Sequence, residues 1–340
     1  MKKYSKKKHL SLDICQNENW AKYNHKQNRT YRNVPANWRE RLAELSAEQK
    51  SELFFKYALE GNKKMLKAIY SADGEPLNIN AKDRDNNNAL MFALKSGDRD
   101  TVEYLLSIGI ETDYINTIGF SPMHFAVRKN DLNLVALLVD NNADINIKDK
   151  LGRTPIFDAV CENNGKMINA LAINGMFIDA TDNHGTTPLM IAVEDQSRQE
   201  ALITLINLGA DVNAKDNNGK NALIRAIEHE NNAMMDMLFK SGIDIDAIDR
   251  NFMTAVHHCA KMGNREALRI LISKGADIFG FDRKGRRAVD IANQYKNFGC
   301  VQILEKAEKI YNNPNLTDAQ RAEALREFGR HNKVINSCVR

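Results

Sequence analysis

Short apolar stripes recur along most of the chain, each on a segment long enough for only two or three helical turns. Three of these stripes are Val102, Leu105 and Leu106; Val135, Leu138 and Val139; and Leu268, Leu271 and Ile272. Steps of three and four residues place such side chains on one face of an α-helix. The pattern predicts an all-α protein built from short amphipathic helices.

The helices follow one another at a fixed period. An Asp or Asn that opens a turn recurs every 33 residues, with one step of 34, at Asp83, Asn116, Asp149, Asp182, Asp216, Asp249 and Asp282. Self-similarity of this kind indicates a repeat architecture, in which each unit buries its apolar face against its neighbours. Seven consecutive registers make the signal specific.

The same turn and cap signals return in each register. A Gly follows the turn residue by three positions at Gly119, Gly152, Gly185, Gly219 and Gly285. Gly accepts the positive φ that a tight turn requires. A Ser or Thr then precedes Pro at Ser121, Thr154 and Thr187, which predicts an N-cap and a first helical turn. A second helix ends before Gly109, Gly175, Gly209, Gly242 or Gly275.

The combined pattern resembles the ankyrin repeat, D-x-x-G-x-T-P-L-H-x-A-A followed by V-x-x-L-L-x-x-G-A-D-[VI]-N. The matching segments read F-S-P-M-H-F-A at 120–126, R-T-P-I-F-D-A at 153–159 and T-T-P-L-M-I-A at 186–192. The resemblance spans roughly residues 50 to 310. It implies an all-α ankyrin-repeat solenoid of about seven to eight helix-turn-helix units, with capping helices at both ends.

Three departures from the repeat carry expectations of their own. Asn86 and Phe252 replace the turn Gly, so we expect those two turns to be distorted. The step of 34 places one extra residue near Ala201-Leu202, which predicts a longer helix or loop there. A degenerate unit around Leu53–Ile69 precedes the array and is interpreted as an N-terminal cap.

The ends of the chain have signals distinct from those of the repeats. Ser46-x-x-Gln49 and Thr317-x-x-Gln320 resemble capping boxes, and a short helix before the first box would turn Trp38 and Leu42 inward. The predicted organisation is a basic flexible arm (1–33), an N-terminal helix and capping repeat (34–80), ankyrin repeats (81–310), a C-terminal capping helix (314–331) and a loose tail (332–340).

The charge is concentrated in the arm. Residues 1–50 carry twelve Lys or Arg and five Asp or Glu, a balance of 12 − 5 = +7, against +4 for the whole chain. Aromatic residues such as Trp20 and Tyr23 are interleaved with these cations. The arm is interpreted as a solvated tail; contact with nucleic acid, an acidic membrane or a transport receptor remains open.

The cysteines and the start of the chain point to a reducing compartment. The five cysteines are odd in number, far apart and without a CxxC pair. The charged start is followed by no apolar stretch typical of a secretory signal, so a cytoplasmic location is expected.

The residues most suggestive of chemistry have structural interpretations. His257 and His258 are adjacent, so on a helix they point about 100° apart and chelate a metal poorly together. His124 and His257 occupy the ankyrin His position, and Cys259 replaces a core Ala. Cys161 lacks a recognisable base, and no phosphate-binding loop or metalloprotease motif is present. We therefore expect no enzyme, with no catalytic residue, metal, cofactor or small-molecule substrate.

The ankyrin resemblance implies that a partner protein binds on the concave side, at the turns and the exposed side of the first helices. Large apolar side chains gather at these positions in the first three registers, which favours a binding hot spot. For Phe92 and Phe125, packing between repeats is the preferred interpretation. The predicted partner-binding residues are Arg84, Phe92, Ile118, Phe120, Phe125, Leu151, Arg153 and Asp158.

The predicted function is a protein–protein interaction scaffold. The alternative is an adaptor that the basic arm directs to nucleic acid or to an acidic membrane. The Asn- and Lys-rich, Gly-poor composition resembles ankyrin proteins of intracellular bacteria, which implies an effector acting in the host cytoplasm. Asn146 and Asn213 resemble the asparagines that host hydroxylases modify in ankyrin proteins.

Overall fold

The computed structural model describes residues 38–330, and within that range the chain is helical without a β-strand. The chain divides into two compact units, Met1–Ile110 and Glu111–Arg340. The predicted all-α class is confirmed. The basic arm (1–33) and the tail (332–340) lie outside the described residues.

The first unit contains five helices in its described part. They are α1 (Trp38–Ala43), α2 (Ala47–Leu59), α3 (Lys63–Tyr70), α4 (Ala89–Ser96) and α5 (Arg99–Ser107). Helix α2 packs on α3 and α4, and α4 packs on α5. Ser46 and Gln49 form the predicted capping box at the start of α2. Leu42 is buried, as expected, whereas the side chain of Trp38 lies outside the described residues.

The second unit repeats one motif of two antiparallel helices. Its helices are α6 (Pro122–Arg128), α7 (Leu132–Asp140), α8 (Pro155–Cys161), α9 (Gly165–Ile173), α10 (Pro188–Ala192), α11 (Gln199–Asn207), α12 (Ala222–Glu228), α13 (Asn232–Lys240), α14 (Ala255–Met262), α15 (Arg265–Ser273), α16 (Ala288–Gln294), α17 (Phe298–Tyr311) and α18 (Asp318–Arg330). We number the repeats 1 to 7 from the turn residues Asp83, Asn116, Asp149, Asp182, Asp216, Asp249 and Asp282.

Burial of the apolar stripes holds the second unit together. First helices pack on first helices, from α6 through α8, α10, α12 and α14 to α16, and each also packs on the second helix of its own repeat. Leu223 and Leu238 of repeat 5 are both fully buried. Helix α18 packs on α15 and α17 and buries Leu325, so the last repeats are covered by apolar contact.

The helix ends follow the sequence signals, with one difference. Ser121 and Thr187 accept hydrogen bonds from the backbone N–H groups of His124 and Met190. Thr154 has the extended backbone of an N-cap, but its buried hydroxyl makes no capping bond. All five predicted glycines at the ends of the second helices have φ between 80° and 88°. The left-handed ends are confirmed.

The expectation of distorted turns at Asn86 and Phe252 is wrong. Both residues adopt φ close to +60°, and each donates its N–H to the turn aspartate, Asp83 or Asp249, as Gly does elsewhere. The extra residue of repeat 4 is also not near Ala201-Leu202. It lies in a 3-10 turn, Gln196–Arg198, between the short α10 and α11, because a connecting loop absorbs an insertion without shifting the packed face.

No helix in residues 38–330 is long and apolar enough to cross a membrane.

Candidate partner-binding surface

The turns of repeats 3 to 7 form a row linked by backbone hydrogen bonds. Asn183 donates its N–H to the Leu151 carbonyl at 2.9 Å, and Arg283 donates to the Asn251 carbonyl at 2.8 Å. Two equivalent bonds, Asn217 to His184 and Arg250 to Asn218, lie between them. The turns are therefore held in register, and the surface of turns and first helices is a preorganised platform rather than a set of independent loops.

A second row of hydrogen bonds involves Asn146 and Asn213. Asn146 accepts the Phe177 N–H at 2.8 Å and donates to the Gly175 carbonyl at 3.1 Å. Asn213 accepts the Asp244 N–H at 2.7 Å and donates to the Gly242 carbonyl at 3.2 Å. Both amides thus join one repeat to the next. Their hydroxylation stays a prediction.

Two aliphatic side chains are exposed at the turns of repeats 2 and 3. Ile118 is 53% exposed and Leu151 is 45% exposed. The equivalent turn positions of later repeats hold the polar residues His184, Asn218, Asn251 and Lys284. An exposed aliphatic side chain at this turn position distinguishes repeats 2 and 3 from the four repeats that follow.

Arg128 connects these two repeats beside the apolar turns. Its guanidinium carbon lies 4.6 Å from the centre of the Phe120 ring, within range of a cation–π contact. Its Nη1 lies 3.5 Å from Asp158 Oδ1 on the next first helix. We did not single out Arg128 from the sequence. Its position three residues after Phe125, on the same face of α6, is the signal that could have found it.

Arg153 is held within its own repeat. Its Nε and Nη2 donate to Asp149 Oδ2 at 3.0 and 2.7 Å. The positive charge of Arg153, which was expected to contact the partner, is therefore already paired with Asp149. Phe125 is half-buried, with Lys129 Nζ 5.8 Å from its ring centre.

Arg84 and Phe92 belong to the first unit and are described there. Arg84 is exposed in its turn, whereas the Phe92 ring stacks on Phe55 of the capping repeat at 5.5 Å and 26°. The Phe92 contact is one between neighbouring repeats, which favours the packing interpretation for this residue. The other six predicted residues lie together in repeats 2 and 3 of the second unit.

On the surface formed by the turns and first helices, ion pairs link repeats 4 and 5. Arg225 contacts Glu194 of the preceding repeat, Asp216 Oδ2 at 3.0 Å and Thr186 Oγ1 at 3.1 Å. Lys220 Nζ lies 2.6 Å from Glu228 Oε1. Because these charged side chains are paired with one another, this part of the surface has fewer unpaired charges for contact with a partner.

His258 extends the ion-pair network into repeat 6. Its Nε2 lies 3.1 Å from Asp249 Oδ2 and its Nδ1 lies 3.3 Å from Glu228 Oε1. Burial alone would lower the pKa of His258, but the two carboxylates outweigh burial and raise it. Burial likewise opposes ionisation of Glu228, yet His258 and Lys220 lower the pKa of this carboxyl to about 2.

The two histidines at the ankyrin position satisfy loop hydrogen bonds, as predicted. His124 Nδ1 lies 2.8 Å from Ser121 Oγ, and its Nε2 lies 3.0 Å from the Arg153 carbonyl. Burial lowers the pKa of His124 to about 4 and also lowers that of His257, so both are neutral near pH 7. Burial raises the pKa of the Cys259 thiol, in keeping with its predicted place in the core.

Within residues 38–330, no three His, Cys, Asp or Glu side chains are arranged to hold a metal ion.

Comparison with known proteins agrees with this architecture. A family model for three copies of the ankyrin repeat matches residues 54–149, 123–216 and 156–249, and a model for a single ankyrin repeat matches residues 251–282. No curated protein matches the chain. Among solved structures, the chain is similar to the ankyrin repeat domain of Bcl-3, described as a unique member of the IkappaB protein family. The sequences are 25% identical, the match covers 64% of this chain and 100% of that one, and the TM-score is 0.58. Because the family models match well over half of its residues, this chain belongs to the ankyrin-repeat family.

Proposed function

We propose that this chain is a scaffold that binds a partner protein on the concave side of its repeats, through repeats 2 and 3. Ankyrin repeats are protein–protein interaction modules, which gives the general class of function. The contact surface that we infer is here called the partner patch: Ile118, Phe120, Phe125 and Leu151, with Arg128 and Asp158 at its edge.

Exposure of Ile118 and Leu151 supports the partner patch most strongly. Their position is polar in each of the four following repeats, and a turn that met only water would gain nothing from a large aliphatic side chain. A partner that covered both would remove apolar area from water.

Phe120 and Arg128 give the partner patch a second kind of contact. The Phe120 ring is half-buried, and the guanidinium of Arg128 lies 4.6 Å from its centre. Aromatic and Arg side chains at the centre of an apolar area are the usual hot spots of protein interfaces. We therefore assign the largest binding contribution to Phe120 and Ile118.

Site-specific crosslinking tests this function. A photoreactive residue at position 118 should capture one dominant partner from a cell extract, whereas the same residue at exposed Lys240, on the second helix of repeat 5, should not. The captured protein is then identified and purified, and its direct binding to the full chain is measured. Equal capture from positions 118 and 240 would contradict the partner patch.

The setting that we propose for this activity is the cytoplasm of a host cell, with the chain acting as an effector. The Asn- and Lys-rich composition, similar to that of ankyrin proteins from intracellular bacteria, supports this setting. Detection of the tagged chain in the host cytosolic fraction during infection is the expected result. Retention of the chain in the bacterial pellet would contradict it.

The basic arm supports a second candidate, an adaptor directed to nucleic acid or to an acidic membrane. The observation that favours it is the net charge of +7 on residues 1–50, whereas the remaining residues carry a net charge of −3. An adaptor of this kind should bind a 20-residue oligothymidylate or phosphatidylserine vesicles in a salt-dependent way, and removal of residues 1–33 should abolish that binding. Binding that survives the deletion would exclude the arm.

A further inference from the structure

Three large apolar side chains are exposed around the turns that open repeats 6 and 7. Ile248, Phe252 and Phe281 are 43%, 50% and 63% exposed. Phe252 occupies the turn position that is Gly in five other repeats. Ile248 and Phe281 occupy the position before the turn aspartate, which is Lys in repeats 3 and 5. These substitutions within one chain concentrate apolar surface at one end of the row of turns.

The backbone at Phe252 is in a conformation that bulky residues avoid. Its φ is 58°, and of the seven non-Gly residues with positive φ in the described range, four are Asn. In repeat 5 a Cβ placed on the equivalent Gly219 would lie 2.9 Å from the Arg250 nitrogen of the next turn. A strained residue of this size, half exposed, is a candidate for a binding role.

Three cationic residues lie on the same two turns as these apolar residues. Arg250, Arg283 and Lys284 are exposed, and none of them forms an ion pair with a residue in 38–330. Arg286, by contrast, lies 2.6 Å from Asp282. The Arg283 N–H donates to the Asn251 carbonyl at 2.8 Å, so the two turns and their cations are fixed side by side.

Repeat equivalence places Ile248 next to the chain at Phe281. At the same position of repeats 3 and 5, Lys148 and Lys215 each reach the backbone carbonyl of the equivalent residue one repeat later, at 3.2 and 3.1 Å. Ile248 occupies the equivalent position of repeat 6 and is 43% exposed. Apolar and cationic side chains of repeats 6 and 7 thus form one surface, here called the tip patch: Ile248, Arg250, Phe252, Phe281, Arg283 and Lys284.

We propose that the tip patch binds a short acidic segment of another protein that carries a large apolar side chain. Unengaged cations around an apolar centre are complementary to such a segment in both charge and hydrophobicity. This second surface goes beyond the partner patch, which lies in repeats 2 and 3 and contains mostly aliphatic and aromatic groups.

The charges around the tip patch favour a short segment over an extended anion. At the two positions that hold Arg250, Arg283 and Lys284, repeats 4 and 5 have Asn183, His184, Asn217 and Asn218, so the exposed Arg and Lys side chains at these positions do not continue into repeats 4 and 5. Exposed Asp246 and Asp277 lie on the same two loops as the tip patch. A nucleic-acid backbone or an anionic leaflet would meet these carboxylates, whereas a peptide with a few acidic residues can avoid them.

Peptide selection on the full chain tests the proposal. Random 12-residue peptides displayed on phage are selected on the wild-type chain and counter-selected on the variant Phe281→Ser/Arg283→Glu. The enriched peptides should combine Asp or Glu with a Leu, Phe or Trp, and a synthetic representative should bind the wild type at least tenfold more tightly than the variant. Lys166→Glu, a remote charge change, should leave its affinity unchanged.

Phe252→Gly separates binding from folding. Gly restores the residue common to this turn, so the variant should keep the wild-type circular dichroism spectrum while losing at least fivefold in affinity for the same peptide. Ile118→Ser should have no effect on it, which distinguishes the tip patch from the partner patch. Enrichment of peptides without acidic residues, or equal binding by Phe252→Gly, would overturn the proposal. So would tighter binding of a 20-residue oligothymidylate or of phosphatidylserine vesicles than of any selected peptide.

Discussion

The imidazole of His258 lies 3.3 Å from the carboxylate of Glu228 and joins repeat 6 to repeat 5. Asp249 approaches the other ring nitrogen, and Lys220 approaches Glu228 from the far side. A protonated His258 therefore sits between two carboxylates in a largely buried setting. Its proton is part of the contact between two consecutive repeats.

This arrangement predicts a pH-dependent contribution to stability. Because the folded-state pKa of His258 is raised above 6.5, its contribution is fully present below pH 6.5 and is lost as the pH rises through the folded value. The difference in urea midpoint between wild type and His258→Gln should therefore shrink from pH 5.5 to pH 8.5. Over this range Glu228 and Asp249 stay ionised, because their pKa values are lowered.

His124 provides a control, because its contribution to stability should change with pH in the opposite direction. Burial lowers its pKa to about 4, so the unfolded chain takes up this proton first and stability rises with pH between about 4 and 6.5. The variant His124→Gln should therefore lose a rise of stability with pH, whereas His258→Gln should lose a fall of stability with pH. A stability difference for His258→Gln that is constant or increases above pH 6.5 would contradict the bridging role of His258.

The crowding at the turn glycines predicts an unequal response to Ala. Gly219 and Gly285 have similar φ, 80° and 71°, but a Cβ at 219 would lie 2.9 Å from the Arg250 nitrogen, whereas one at 285 has no neighbour within 4 Å. Each Ala should cost about 1–2 kcal/mol for its left-handed backbone, and Gly219→Ala should cost more. Urea midpoints check the order, and a larger loss for Gly285→Ala would show that the next turn does not crowd the site.

Replacement of Lys50 is predicted to destabilise one segment of the first unit. Its side chain is fully buried, and its ammonium group donates to the carbonyls of Asp73 and Glu75 at 2.8 and 2.6 Å. Lys50→Met should lower the free energy of unfolding by about 1 kcal/mol, because two partly buried carbonyls lose their charged donor. Exchange of the backbone amides near residues 72–77 should accelerate. Lys64 is exposed, so Lys64→Met should change neither the free energy of unfolding nor the exchange rates. Equal effects of the two variants would argue against a stabilising role of the Lys50 hydrogen bonds.

Local rules explain why the fold could be predicted from the sequence. The turn aspartates, the Pro-containing helix starts and the Gly helix ends each depend on chemistry within a few residues, and the period of 33 joins them into repeats. The two turns at Asn86 and Phe252 were predicted wrongly, since we assumed that only Gly holds a positive φ there. The surrounding hydrogen bonds instead keep the turn in shape around other residues.

Contacts between repeats could not be predicted in the same way. Arg128 reaches both Phe120 and Asp158, and Arg225 reaches Glu194, because long side chains cross from one first helix to the next. Sequence spacing gives the face of a helix but not the rotamer that a neighbouring repeat selects. Arg153 is a second example. From its residue type it was predicted to contact a partner at the edge of the binding site, but in the structure it forms an ion pair with Asp149.

Binding of the crosslinked partner to the double variant Ile118→Ser/Phe120→Ser is the most direct test of the partner patch. The affinity should fall by roughly 30-fold or more, the loss of about 2 kcal/mol that marks a hot spot. The helical melting curve should remain that of the wild type, because Ile118 is exposed and Phe120 only half-buried. Unchanged affinity with an intact melting curve would contradict binding through repeats 2 and 3.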